Sequence, residues 1–311
     1  MGYDAIDVDG SANRVRTVVW TVFSMAALLA LNIDNLTLWS ALVVPVALLL
    51  ALIPGLRPAF TYRATDGRDL FVIGVLYIAV VGLFRLAFTV FTTDNILWLF
   101  LSFAFGLIIG VVGPIVYQVW MRGRDLRSLG LGFHHLRATL TLGLVFAAIQ
   151  FTSTLWGYDL PAAVDWVPLL VMSLVVGLFE AVFFRGFIQS RLEASFGVIP
   201  AVGGAALLYA LYHVGYGMGA DEMWFLFGLG VVYAIVYRLT TNLLVLWPLL
   251  TPLGAFFNNI QTGDIELPWE SILGFADVAI VMAVAVWLAH RHIRKRPQRN
   301  DHERVRQEAL T

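Results

Sequence analysis

The 311 residues contain no cysteine, which excludes disulfides, thiolate nucleophiles and cysteine-ligated metal sites. Charge is scarce as well. Asp, Glu, Lys and Arg make up 13% of the chain, against 59% hydrophobic residues, and a soluble domain of this size cannot hide so much apolar surface. The Gly-Leu-Gly of "RSLGLGFHHLR" is too short to be a dinucleotide fingerprint. Tandem repeats and low-complexity runs are missing. Duplicated halves with matching broken helices are missing too, which weighs against a small-molecule transporter. The opening "MGYDAIDVDGSANRVR" is acidic ahead of its two arginines and has no small-residue cleavage site, so no signal peptide is expected to be removed.

What the chain has is a succession of apolar runs. Hydropathy places ten of them, at 17–33, 37–53, 69–91, 97–120, 139–153, 166–190, 199–213, 224–237, 243–257 and 272–290. The expected fold is therefore an all-α polytopic integral membrane protein of about ten transmembrane helices. The basic residues set its orientation. Arg14 and Arg16, then Arg57, Arg63 and Arg68, then Arg122, Arg124, Arg127 and Arg137 fall in every second segment between spans, and so on one side of the membrane, followed there by Arg191, Arg238 and the arginine-rich end. The intervening loops hold no Lys or Arg and carry acids such as Asp94, Asp159 and Asp264. By the positive-inside rule both termini are cytoplasmic, and the chain is expected in the cell membrane. It divides into a four-helix region (1–121), a core (122–290) and a basic tail (291–311). About twenty mixed-charge residues do not make a nucleic-acid-binding domain, so the tail is expected on anionic headgroups of the bilayer, with no nucleic acid partner.

Two charges lie inside the apolar run "FEAVFFRG": Glu180 and Arg185. A charged group at bilayer depth costs about 2.5–3.5 kcal/mol even on lenient insertion scales. Arg85 and Asp277 are also within spans, near their outer ends, where they would snorkel or pair. The next polar candidate after Arg185 is His213. The midpoint between Glu180 and His213 falls between Phe196 and Gly197, in the helix-breaking "SFGVIP". Two helices folded back there as an antiparallel hairpin bring Glu180 and His213 to one depth. A Glu and a His sharing a water form a general base for hydrolysis. A structural hydrogen bond between two helices accounts for the spacing equally well.

"FEAVFFRG" followed by "YALYH" resembles the CPBP family of intramembrane proteases, which joins CaaX prenyl endopeptidases with bacteriocin-processing and immunity proteins. The family's Glu-Glu-x-x-x-Arg motif reads Glu180, Ala181 and Arg185 here, with alanine replacing the second glutamate. Its Phe-x-x-x-His motif reads Tyr209 to His213. "RSLGLG" resembles the connector that often precedes the family core, and the likeness covers roughly residues 122–260. The resemblance implies an endopeptidase acting on a hydrophobic or membrane-anchored peptide. Glu180 and His213 would activate water, Arg185 would position the helix and Tyr209 would wall the site. The third motif, His-x-x-x-Asn or Asp, supplies oxyanion stabilisation in the family. In "WPLLTPLGAFFNN" its positions hold Pro252 and Phe256, leaving Thr251 and Asn258, seven apart on one helix face, as substitute donors. Those departures leave a second reading, a catalytically impaired scaffold or immunity protein. One histidine and one glutamate fall short of the three protein ligands a catalytic zinc expects, so no metal and no cofactor is expected.

Overall fold

The computed structural model describes residues 10–32, 35–57, 65–91, 95–132, 135–158, 160, 162–262 and 267–308. Its elements are helices, with no strand among the described residues: α1 (Gly10–Leu29), α2 (Leu36–Leu52), α3 (Gly67–Arg85), α4 (Ile96–Ile115), α5 (Leu136–Thr154), α6 (Ala163–Glu180), α7 (Ser190–Phe196), α8 (Val198–Leu211), α9 (Ala220–Thr240), α10 (Leu250–Thr262) and α11 (Ser271–Glu308). Three of the helices begin where a polar side chain takes up an orphan N–H group. Asn35 accepts from the Leu38 N–H at 2.8 Å and Asp66 from the Arg68 N–H at 3.0 Å. At α9 the Glu222 carboxylate reaches back to the Gly219 N–H at 2.7 Å.

Eight helical segments among the described residues are long and apolar enough to cross a membrane. The chain is a polytopic α-helical membrane protein. The other two expected spans are shorter helices, α2 with 17 residues and α10 with 13. The apolar run that begins at Leu243 is broken into a short 3-10 turn (Leu243–Val245) and a bend before α10 starts, because Pro248 has no N–H to continue a helix. α10 is thus the last part of the expected 243–257 span and runs past it.

Burial separates lipid-facing helices from the centre. In the segment Ala163–Phe196, 72% of the apolar window is buried inside the protein, against 22% for Gly67–Val90 and for Ser271–Lys295. The outer helices present Phe71, Ile78, Leu144 and Leu273 outward, as the bilayer requires. The central segment bends back at Gly197, whose φ of 85° suits glycine, and α8 returns alongside it before α9 packs on α8. The hairpin expected from the sequence is present. Arg85, at the end of α3, donates to the Val214 carbonyl at 3.2 Å, which ties α3 to the turn that holds His213.

A polar knot binds α3 and the end of the α4 segment to α7. Asp69 accepts from the Tyr117 hydroxyl at 2.6 Å and faces Arg122 (3.7 Å), Arg124 (3.3 Å) and Arg191 (3.9 Å). Asp66 pairs with Arg122 beside it. Burial pushes the Asp66 carboxyl up, but the Arg68 backbone N–H and the Arg122 cation outweigh it and hold the group below the usual carboxylate range.

The connector "RSLGLG" packs under the central helix. Leu129 presents its carbonyl to Gly186 so closely that a Cβ there would lie 2.3 Å from the oxygen. The Asn242 side-chain amide donates to the Gly132 carbonyl at 2.9 Å and closes the connector from the other side. Gly186→Ala should therefore destabilise the protein by about 1–3 kcal/mol, the usual range for overpacking against a backbone that cannot retreat. A thermal midpoint in detergent equal to that of the wild type would show that the connector moves freely.

Candidate active site

α6 ends at Glu180, and the helix continues as a π-turn over Ala181–Gln189 before α7 resumes the α form. The change of winding is what assembles the site. On an α-helix, residues five apart point about 140° away from each other. The i→i+5 hydrogen bonding of a π-turn stacks residue i+5 close to residue i. Arg185, five after Glu180, is thereby turned toward the same face. Every residue of the π-turn is buried.

Glu180 is 6% exposed. Its carboxylate accepts from the Tyr212 hydroxyl through Oε1, and from the Tyr209 hydroxyl at 3.5 Å through Oε2. Both tyrosines come from the returning arm of the hairpin, Tyr209 on α8 and Tyr212 at the start of the 3-10 turn Tyr212–Tyr216. His213, also 6% exposed, follows directly. Its Nδ1 lies 2.9 Å from the Tyr209 carbonyl, an acceptor, so Nδ1 carries the proton and Nε2 of the neutral ring is left as an acceptor. The ring is clasped by Tyr212 (centroids 4.0 Å apart), Tyr209 (5.2 Å) and Tyr216 (5.5 Å).

The two residues paired from the sequence thus share one end of the hairpin without a direct hydrogen bond between them. Tyr209 links them, with its carbonyl to His213 and its hydroxyl to Glu180. Tyr212 is the residue sequence reasoning passed over. A signal for it existed in "YALYHVGY", where Tyr209, Tyr212 and Tyr216 recur at helical spacing. The wall behind these rings comes from α3, whose Phe84 packs at a tilt against Tyr212 (6.0 Å) and Tyr216 (5.2 Å) and edge-on against Phe179 (5.7 Å).

Arg185 is 2% exposed and lies with its guanidinium 5.0 Å above the Tyr209 ring. It interacts electrostatically with Glu180 but makes no ion pair with it, and both terminal guanidinium nitrogens lack a hydrogen-bond partner. The remaining expected donors are arranged differently. Thr251 is buried and its hydroxyl donates to the Gly177 carbonyl at 3.1 Å, one turn before Glu180, so it fastens α10 to α6. Pro252 packs so tightly on Gly177 that a Cβ there would lie 2.8 Å from it, and Phe256 meets Trp166 edge-on at 6.0 Å. The Asn258 side chain lies outside the described residues, as do His134 and the side chains of 296–311. His292 lies against Trp120, with ring centroids 5.6 Å apart. Among the described residues no three His, Asp or Glu side chains come together as a metal site.

Comparison with curated proteins and with solved structures finds no match. The segment that carries Glu180, Arg185, Tyr209, Tyr212 and His213 does have a counterpart: residues 161–249 match the Rce1-like family model, the type II CAAX prenyl endopeptidase Rce1-like proteins, in agreement with the CPBP resemblance of its motifs.

Proposed function

We propose that this multi-pass membrane protein is an intramembrane endopeptidase that hydrolyses a peptide bond of a hydrophobic or membrane-anchored substrate, with Glu180 as the base. The observation that carries the reading is a buried carboxylate held by two tyrosine hydroxyls, beside a histidine whose Nε2 is left to accept. Glu180 takes one proton from water while His213 Nε2 accepts a hydrogen bond from the O–H that remains, so the water oxygen is aimed at the substrate carbonyl. Its attack forms a C–O bond and a tetrahedral oxyanion. On collapse the C=O re-forms, the C–N bond breaks, and the proton held by Glu180 passes to the leaving amine. Tyr209 and Tyr212 keep the carboxylate oriented through the cycle, and no metal or cofactor enters it. Cleavage profiling of membrane-anchored peptides in cells carrying wild-type or Glu180→Gln protein tests the reading. Fragments that appear with both proteins alike would remove it.

A second reading is supported by Pro252 and Phe256, apolar where the family carries its third motif: a catalytically impaired scaffold or immunity protein that binds membrane peptides. It expects Glu180→Gln to leave binding and phenotype intact.

The segregation of basic residues supports cytoplasmic termini in the cell membrane. In this cysteine-free chain, Asp94→Cys, Asp159→Cys and Asp264→Cys should each label from outside with an impermeant maleimide, and Arg63→Cys, Arg127→Cys and Thr311→Cys should not. The reverse pattern would invert the topology.

A further inference from the structure

We propose that the Arg185 guanidinium is the electrophilic pole of the site, donating to the carbonyl oxygen of the scissile bond and to the oxyanion that forms on it; this deepens the hydrolytic reading above and rests on it. The positions where the family keeps oxyanion donors hold Pro252 and Phe256 here, and the Thr251 hydroxyl is committed to the Gly177 carbonyl. Arg185, by contrast, is buried with both terminal nitrogens unpartnered. A buried guanidinium leaves donors unmade only at considerable cost. Ala181, buried beside it, brings no acceptor.

Three features aim those donors at the reaction. The π-turn swings Arg185 toward the face of Glu180. Tyr209 stands between the two, with the guanidinium over its ring and the carboxylate at its hydroxyl, so the charges flank one residue without meeting. The oxygens near the cation are engaged elsewhere: Glu180 accepts from the Tyr209 and Tyr212 hydroxyls, and the Tyr233 hydroxyl donates to Gln150 at 3.0 Å, while the terminal guanidinium nitrogens stay unpartnered.

Charge balance selects an oxyanion over a substrate carboxylate as the occupant. A bound carboxylate would set a second negative charge beside Glu180 in a dry site. An oxyanion appears only as Glu180 takes up a proton, so one negative charge moves from the carboxylate to the substrate oxygen and Arg185 balances it throughout. Planar, always-charged arginine is suited to this role, because its fork can present two N–H groups to one oxygen.

The test uses the full chain in detergent and two probes, palmitoyl-tetraleucine amide with a phosphinate replacing the central peptide bond, and the same molecule with a neutral ketomethylene. The phosphinate is the sole anion in the pair and mimics the tetrahedral oxyanion. Wild-type protein should bind it at least about 100-fold tighter than the ketomethylene, the lower end for transition-state analogues. Arg185→Met should erase that preference while melting at the same or a higher temperature, because an unpartnered buried cation is removed. Glu180→Gln should keep or strengthen the preference while abolishing cleavage.

A wild type that binds both probes equally, or an Arg185→Met protein that retains the preference, overturns the proposal. If Arg185→Met fails to insert, the neutral Arg185→Gln protein decides in the same way. The two readings also come apart. An Arg185-dependent preference in a protein that cleaves nothing keeps the oxyanion site and removes the protease. Glu180-dependent cleavage with a preference indifferent to Arg185 keeps the protease and removes this inference.

Discussion

Glu180→Gln should lower cleavage of a membrane-anchored peptide by at least about 100-fold, the lower end of what a positioned general base contributes. The substitution suits the site unusually well. The glutamine carbonyl can accept from Tyr212 as Oε1 does, and its amide can donate to the Tyr209 oxygen, so the two contacts of the carboxylate are reproduced in shape. The ability to take a proton is what disappears. His213→Ala should cost a similar factor, and the double substitution little more than either, because both residues act on one water. Measured cleavage rates of purified protein in nanodiscs, with thermal midpoints to confirm intact folding, check this. A stable Glu180→Gln protein with wild-type turnover would remove Glu180 as the base, and a wild type with no turnover at all would leave the scaffold.

The helices were legible because each apolar run is long and continuous, and the hairpin because Gly197 and Pro200 interrupt one such run between two polar residues. α10 was misjudged in length for a local reason: hydropathy counts Leu243 to Trp247 as span, whereas Pro248 removes the N–H that a continuous helix would need. The site was legible in part. Glu180, Arg185 and His213 stand out as ionisable groups in apolar sequence, and Tyr209 as the start of a motif. Their joining was not legible. "AVFFRGFI" has nothing that marks a π-turn, and every residue of that turn is buried, where tertiary packing rather than local sequence decides the winding. Tyr212 escaped because a tyrosine in a membrane helix reads as an aromatic until a carboxylate is found opposite its hydroxyl. Asp69 escaped for a different reason. It looks like an ordinary acidic residue in a helix's first turn, and its partner Arg191 lies far along the chain.

Asp69→Ala should destabilise the protein by about 3–5 kcal/mol, the range for removing one member of a buried ionic cluster. Asp69 is enclosed, with 3% of its side chain exposed, and Arg191 is equally enclosed at 4%. Loss of the carboxylate takes from Arg191 a buried counter-charge and from Tyr117 its acceptor, while the arginine stays too deep to reach water. The cluster also mixes elements: Asp69 belongs to α3, Tyr117 to the end of the α4 segment and Arg191 to α7, directly beyond the π-turn that carries Arg185. Releasing it should loosen the seam between the N-terminal helices and the central helix. The more exposed members give the contrast. Arg124→Ala, at a side chain 31% exposed, should cost no more than about 1 kcal/mol, as surface pairs do. Denaturation of the purified variants in a fixed detergent measures both. Equal midpoints for Asp69→Ala and Arg124→Ala would mean that water reaches Asp69 and that the knot is a surface feature. A large loss confined to Asp69→Ala, with turnover falling only in step with the folded fraction, would place the knot in the scaffold that holds the π-turn in register and outside the chemistry itself.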